Sequence, residues 1–199
     1  VTDHPLQAYL DVRSGSGYTQ FGGATLPLQM FHPIRWSDFK RRRDSMITDE
    51  ALAAAVKERI WTRLLPEIKR SFQFQVTQLE RYLVACYDAT SGGFFKPHRD
   101  DTTRGTLHRR FACTINLNAE EYEGGDLRFP EFGSRTYRAP TGGAVIFSCS
   151  LLHEATPVTR GTRYAFLPFM YDDAALKVRL ANMDAVGESV RSGVMIAAD

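Results

Sequence analysis

The chain has 199 residues, 43% hydrophobic and 24% charged, with 25 Lys and Arg against 23 Asp and Glu for a formal charge of +2. That supports one sizeable domain with a real core, and excludes a disordered chain or two large domains. The small net charge argues against nucleic-acid binding through a broad basic surface, and the absence of ~18 consecutive apolar residues against a membrane span.

Residues 14–23, SGSGYTQFGG, read as a Gly/Ser-rich turn, hairpin or flap. The run Lys40-Arg41-Arg42-Arg43 reads as a solvated loop, with a contact for an anionic partner as the alternative. Thr48-Asp49-Glu50 then supplies a capping residue and an acidic first turn. Apolar positions at Leu52, Val56, Ile60 and Leu64 follow with helical period, so a helix over 49–69 is predicted. Pro66 is expected to kink it or end it early.

From residue 71 the period changes. Phe72, Phe74 and Val76 alternate with polar neighbours, and Tyr82–Tyr87 is a continuous apolar run. Strands are predicted at Phe111–Leu117, Asp126–Phe129, Arg135–Arg138, Ala144–Ser148 and Arg163–Tyr171, divided by Gly- and Pro-containing turns. Short strands at this spacing describe a sandwich or barrel. The fold class is therefore α+β, mainly β, with a leading helix packed outside the sheets. The organisation expected is a single domain over 1–199: helical support to 70, a core over 71–172, and a C-terminal segment over 173–199. Ala174–Met183 has modest helical character.

The three cysteines, Cys86, Cys113 and Cys149, sit in apolar runs without CxxC spacing. They read as small core residues with reduced thiols, and the chain opens at Val1 without a secretory leader, so a cytoplasmic protein is expected.

His98-Arg99-Asp100 carries the chemistry. Residues two apart on a strand project from one face, so His98 and Asp100 can chelate one ion. Alone, the tripeptide also reads as an exposed His–Asp pair in a loop. His153 follows another predicted strand and supplies a third ligand, or else a structural histidine in a turn. Two imidazoles and a carboxylate can hold Fe(II) on one face of its octahedron. Arg163 enters the apolar run Tyr164–Tyr171, and a buried arginine asks for an anion, either an internal acid or a bound carboxylate. Of the other histidines, His4 and His32 lack the strand-end setting, while His108 stays open as a substrate-side group.

Tyr87, Gly92-Gly93, His98–Asp100, Leu117-Asn118, Gly124–Phe129, Gly142–Phe147 and His153–Tyr164, in this order and spacing, resemble the prolyl 4-hydroxylase-like branch of the Fe(II)/2-oxoglutarate dioxygenases. The resemblance covers roughly residues 80–172. It implies a double-stranded β-helix, or jelly roll, with Fe(II) held by His98, Asp100 and His153. Arg163 would bind the far carboxylate of 2-oxoglutarate, and Tyr87 either assists it or lines the barrel as a core aromatic. Where some relatives carry a further tyrosine, this chain offers Thr114 or Asn116.

The reaction implied consumes O2 and 2-oxoglutarate, releases succinate and CO2, and hydroxylates an unactivated C–H bond. The ligand Asp100 favours hydroxylation over halogenation. The substrate expected is a prolyl or other side chain in a peptide or protein, or else a free amino acid or other small molecule. Two readings from other classes stand beside it, a non-catalytic jelly-roll metal- or ligand-binding module and a peptide-binding protein that uses residues 40–43. The polar segment 101–110 reads equally as a lid or as a connection.

Overall fold

The computed structural model describes residues 7–11 and 39–191. Strands β1 (Gln7–Asp11), β2 (Lys40–Arg41) and β3 (Arg43–Met46) precede helix α1 (Glu50–Arg59). A one-turn π segment (Ile60–Leu64) joins α1 to α2 (Leu65–Phe72). The core continues through β4 (Gln78–Glu80), β5 (Leu83–Asp88), β6 (Phe94–His98), β7 (Phe111–Asn116), β8 (Glu123–Gly124), β9 (Leu127–Arg128) and β10 (Thr136–Tyr137). It closes with β11 (Gly143–Ser148), β12 (His153–Ala155), β13 (Val158–Arg160), β14 (Thr162–Phe166) and β15 (Phe169–Tyr171), followed by α3 (Asp173–Arg191).

The strands form two facing antiparallel sheets and a small β13–β8 ladder. The larger sheet runs β1-β11-β7-β14-β5-β3, with β15 bridging β7 and β4, and the smaller runs β10-β9-β12-β6-β2. This is the mainly-β, jelly-roll architecture expected from the sequence, with a helix packed on its outside.

Alternation of side chains decides what each face of the larger sheet does. Val84 of β5, Cys113 and Ile115 of β7, Ile146 of β11 and Phe166 of β14 point outward, against Val56, Ile60, Leu64 and Ile68 of the helical segment. Full burial of each such side chain stabilises the fold by roughly 1.5–3 kcal/mol. The intervening positions, Leu83, Ala85 and Tyr87 on β5, Ala112 on β7, and Val145 and Phe147 on β11, face the interior between the sheets. That accounts for the continuous apolar run at Tyr82–Tyr87: β5 is covered on both sides.

The helix begins where predicted, with the Asp49 side chain accepting the Leu52 amide at 2.7 Å. Pro66 does not end it. The π segment lets the Leu65 amide reach back five residues to the Ile60 carbonyl, and the proline falls in the first turn of α2, where its missing N–H costs little. The helix ends at Gln73, whose left-handed backbone donates to the Lys69 carbonyl. Phe72 and Phe74 are therefore not strand residues; both pack on Phe111, at 4.8 and 5.2 Å between ring centroids.

Three further expectations change. Lys40–Arg43 is not a solvated loop: Lys40 and Arg41 pair with Phe95 and Phe94 of β6, Arg43 pairs with Cys86 of β5, and Arg42 between them is buried. The single strand expected over Arg163–Tyr171 is broken at Leu167-Pro168 into β14 and β15, because proline cannot continue the ladder. The helix after the core runs to Arg191, beyond Met183. The Gly/Ser-rich segment 14–23, with His4 and His32, lies outside the described residues.

Candidate metal centre

The register of the smaller sheet builds the centre. His98, the last residue of β6, lies directly opposite His153, the first of β12. Asp100 follows β6 by two residues, and its amide donates to the Cys149 carbonyl at 2.9 Å, which fixes the turn. One ligand atom from each of His98, Asp100 and His153 lies within 4.8 Å of the others. His98 Nε2 is 3.5 Å from Asp100 Oδ1, and His153 Nε2 is 3.2 Å from Oδ2.

The tautomers follow from the other ring nitrogens. His98 Nδ1 sits 2.7 Å from the Lys96 carbonyl and His153 Nδ1 2.9 Å from the Leu151 carbonyl. A carbonyl only accepts, so each Nδ1 carries a proton, and Nε2 is the ring atom turned toward Asp100. Two Nε2 atoms and a carboxylate converging on one point form a donor set that a cation can occupy. Donors at about 2.0–2.2 Å around an octahedral ion stand about 3 Å apart when adjacent, so the observed spacings suit a small divalent metal. The carbonyls of Lys96 and Leu151 are the partners that orient such ligands.

Burial raises the Asp100 pKa, but hydrogen bonding and charge from His153 and His98 outweigh it and hold the carboxyl well below the usual carboxylate range. Phe95 stacks on the His98 ring at 3.6 Å, and Phe147 packs on His153 at 4.5 Å, closing the apolar side of the centre.

Arg163 and Tyr87 come from the opposite sheet, where β14 and β5 place them side by side. With His98, Asp100 and His153 they line one cavity, so all five residues singled out in the sequence come together. Arg163 is only 4% exposed and pairs with no carboxylate among the described residues. Its Nη2 donates to Thr114 Oγ1 at 2.8 Å, while the buried Nε has no hydrogen-bond partner among the described residues. Such an arginine can receive a carboxylate entering the cavity. The Tyr87 ring lies 5.1 Å from the Arg163 guanidinium, and its hydroxyl accepts from Arg42 Nη1 at 3.1 Å.

Thr114 and Asn116 separate cleanly. Thr114 faces the cavity and orients Arg163, whereas Asn116 donates to the Ala139 carbonyl at 2.6 Å and serves the sheet. His108 is structural: buried, 2.9 Å from Glu80 Oε2 and edge-on to Tyr171. The segment 101–110 is pinned by the Thr103–Thr106 hydroxyl pair at 2.8 Å and by Arg109 on Glu80 at 2.6 Å. Arg160, exposed at the end of β13, pairs with Glu123.

Sequence reasoning missed Arg42. It lies in the basic run, yet Asp44 grips its guanidinium at 2.9 Å and it lines the cavity. The available signal was that acid two positions on, a ready partner for an arginine turned inward.

Comparison with known proteins agrees with this architecture. Residues 82–171 match the model of the 2OG-Fe(II) oxygenase superfamily. A PKHD-type hydroxylase of Synechococcus sp. (strain JA-2-3B'a(2-13)) is 32% identical over 112 residues, 51% of this chain and 49% of that protein. A PKHD-type hydroxylase of Cupriavidus metallidurans is 32% identical over 124 residues, 56% of this chain and 54% of its own length. The chain thus spans about half the length of these curated relatives. Among solved structures, a prolyl hydroxylase from Trichoplax adhaerens, in complex with a hypoxia inducible factor peptide, superposes with a TM-score of 0.68 at 17% identity, covering 90% of this chain and 88% of that one. A Pseudomonas putida prolyl-4-hydroxylase gives 0.56 at 20% identity, over 83% and 92%. It is the Tyr82–Tyr171 core of this chain, the part that carries the site, that matches the 2OG-Fe(II) oxygenase superfamily.

Proposed function

We propose that the chain is an Fe(II)- and 2-oxoglutarate-dependent hydroxylase acting on a prolyl or other side chain of a peptide or protein. The observation that carries this reading is the convergence of His98 Nε2, His153 Nε2 and the Asp100 carboxylate, with Arg163, buried and without a carboxylate partner among the described residues, in the same cavity. His98, Asp100 and His153 would hold the metal. Arg163 would bind the far carboxylate of 2-oxoglutarate. Tyr87, whose hydroxyl oxygen already accepts from Arg42, keeps its own proton to donate to that carboxylate.

When bound, iron and 2-oxoglutarate supply the oxidising power that inserts one atom of O2 into a C–H bond, with release of succinate and CO2. The protein's part is positional. Thr114 holds the guanidinium in one orientation. The backbone carbonyls of Lys96 and Leu151 fix both imidazoles. Phe95, Phe147 and Leu127 keep the lining apolar, which strengthens every charge interaction inside it. The peptide substrate is supported by the names of the relatives, PKHD-type hydroxylases and prolyl hydroxylases.

The test is incubation of the Fe(II)-loaded protein with 2-oxoglutarate, O2 and a panel of proline-containing peptides. The reading predicts stoichiometric succinate and a product heavier by roughly 16 daltons, one oxygen atom. Tight metal binding without succinate from any of the panel would favour the non-catalytic binding module instead.

A further inference from the structure

Arg81 is the residue that the proposed chemistry does not use. Two cavities meet at the centre. The inner one holds Arg163, Thr114 and Tyr87, and the outer one opens past Pro97, Thr103 and Arg109. Arg42, Arg81, Phe95, His98 and Asp100 line both. Arg81 therefore stands at the junction between the co-substrate space and the way in.

Three guanidiniums gather there, and two are neutralised. Arg42 is held by Asp44 at 2.9 Å and by the Tyr87 hydroxyl. Arg109 is held by Glu80 at 2.6 Å and lies over Phe169, 3.9 Å from the ring centroid. Arg81 approaches the same ring at 5.4 Å and has neither a carboxylate nor a hydrogen-bond partner among the described residues. Asp44 is taken by Arg42, and Asp100 faces the two histidines. Burial, reinforced by the like charges of Arg42 and Arg109, lowers the Arg81 pKa below the ordinary arginine value. An anion arriving at this point relieves that repulsion.

The backbone points the same way. Among the described residues only Gln73 and Arg81 have positive φ without being glycine. Gln73 is a helix cap, an ordinary use of that conformation. Arg81, at φ 66°, occupies the two-residue break between β4 and β5 and caps nothing. A strained residue beside a site is what a positioned functional group looks like.

We infer that Arg81 recognises a carboxylate on the primary substrate, which makes the substrate a carboxylate-bearing molecule: a peptide with Asp or Glu close to the target residue, or an amino acid with its carboxylate free. The inference rests on the reading of the inner cavity as the 2-oxoglutarate site. Arg163 serves the co-substrate at the closed end, and Arg81 serves the substrate at the open end.

The experiment uses the anaerobic Fe(II)·2-oxoglutarate complex and, in parallel, the metal-free chain. The probes are end-blocked proline peptides flanked by Asp or Glu, their Asn or Gln counterparts, their Lys counterparts, free L-proline and L-prolinamide. Wild type should bind the acidic peptides, or free proline over its amide, on the order of tenfold tighter than the uncharged counterparts. Arg81→Gln keeps the chain length and backbone demand and should erase most of that preference, moving the uncharged probes less than twofold. Arg81→Glu should turn the preference toward the Lys peptides. End-blocked and free-carboxylate probes separate the two sources of the anion.

Equal binding of charged and uncharged probes by wild type would overturn the inference. So would equal losses for both in Arg81→Gln, or a loss of 2-oxoglutarate affinity in place of probe affinity. Failure of the underlying reading looks different: wild type forms no 2-oxoglutarate complex, while the anion preference is still read on the metal-free chain.

Discussion

Arg163 Nη2 donates to Thr114 Oγ1 at 2.8 Å, a contact that links β14 to β7 across the inner face of the larger sheet. The hydroxyl aims the guanidinium, so its loss should cost co-substrate binding without unfolding the sheet. Thr114→Val is expected to raise the KM for 2-oxoglutarate several-fold. Arg163→Lys loses the two-pronged geometry and should raise it by roughly ten- to a hundredfold, as expected for a hydrogen bond to a charged group worth about 1.5–3 kcal/mol. Anaerobic titration of 2-oxoglutarate checks both. Equal affinity in wild type and Arg163→Lys would remove the arginine from the site.

Gly125 supports the same arginine from behind. Its φ is 67°, and a Cβ there would meet Val158 Cγ2 at 2.8 Å and Arg163 Cδ at 3.2 Å. Gly125→Ala should destabilise the fold by about 1–2 kcal/mol through the left-handed backbone alone. Because the added methyl pushes on Arg163, the 2-oxoglutarate KM should rise with it. Thermal melting and kinetics together separate the two effects.

The outer face predicts the opposite pattern. Ile68 is fully buried among Val84, Ile115 and Phe166, on the side of the sheet away from the cavity. Ile68→Ala should cost about 2–5 kcal/mol of stability. Below its lowered melting temperature the variant should keep a near-normal KM for 2-oxoglutarate, measured at a temperature where it is folded. A large KM change there would mean that the sheet transmits strain to the cavity.

Glu80 sets a pH-dependent part of stability. Burial raises its pKa, yet the hydrogen bond with His108 and the Arg109 charge outweigh that and leave it below its ordinary value. A carboxylate with a depressed folded pKa stabilises the fold above its unfolded value of about 4.3, and that contribution disappears as pH falls through the folded value. Glu80→Gln should therefore melt lower at neutral pH and lose less on acidification from about pH 5 to pH 3. Parallel acid limbs for the two proteins would contradict this assignment.

Much of the core and of the site could be read from the sequence because both rest on period two. The runs at β5, β7, β11 and β14 read as strands, His98 falls at a strand end with Asp100 two residues on, and Arg163 stands out as a charge entering an apolar segment. What escaped was decided by partners distant in sequence. Arg42 looks like one of four surface cations until Asp44 and Tyr87 are placed around it. Pro66 looks like a helix end until the π segment shifts the hydrogen bonding ahead of it. Phe72 and Phe74 alternate like a strand, but Phe111 collects them into one aromatic cluster. His108 has the appearance of a substrate-side group in a polar loop, and only the fold brings Glu80 to meet it.

The central claim is that His98, Asp100 and His153 hold Fe(II) with 2-oxoglutarate anchored at Arg163. Its most direct test is anaerobic titration of the metal-free protein with Fe(II) and then 2-oxoglutarate, followed by visible absorption. The account predicts a metal-to-ligand charge-transfer band in wild type that is abolished in His153→Ala and in Asp100→Ala. No band in wild type, or a band of undiminished intensity in either variant, would contradict it.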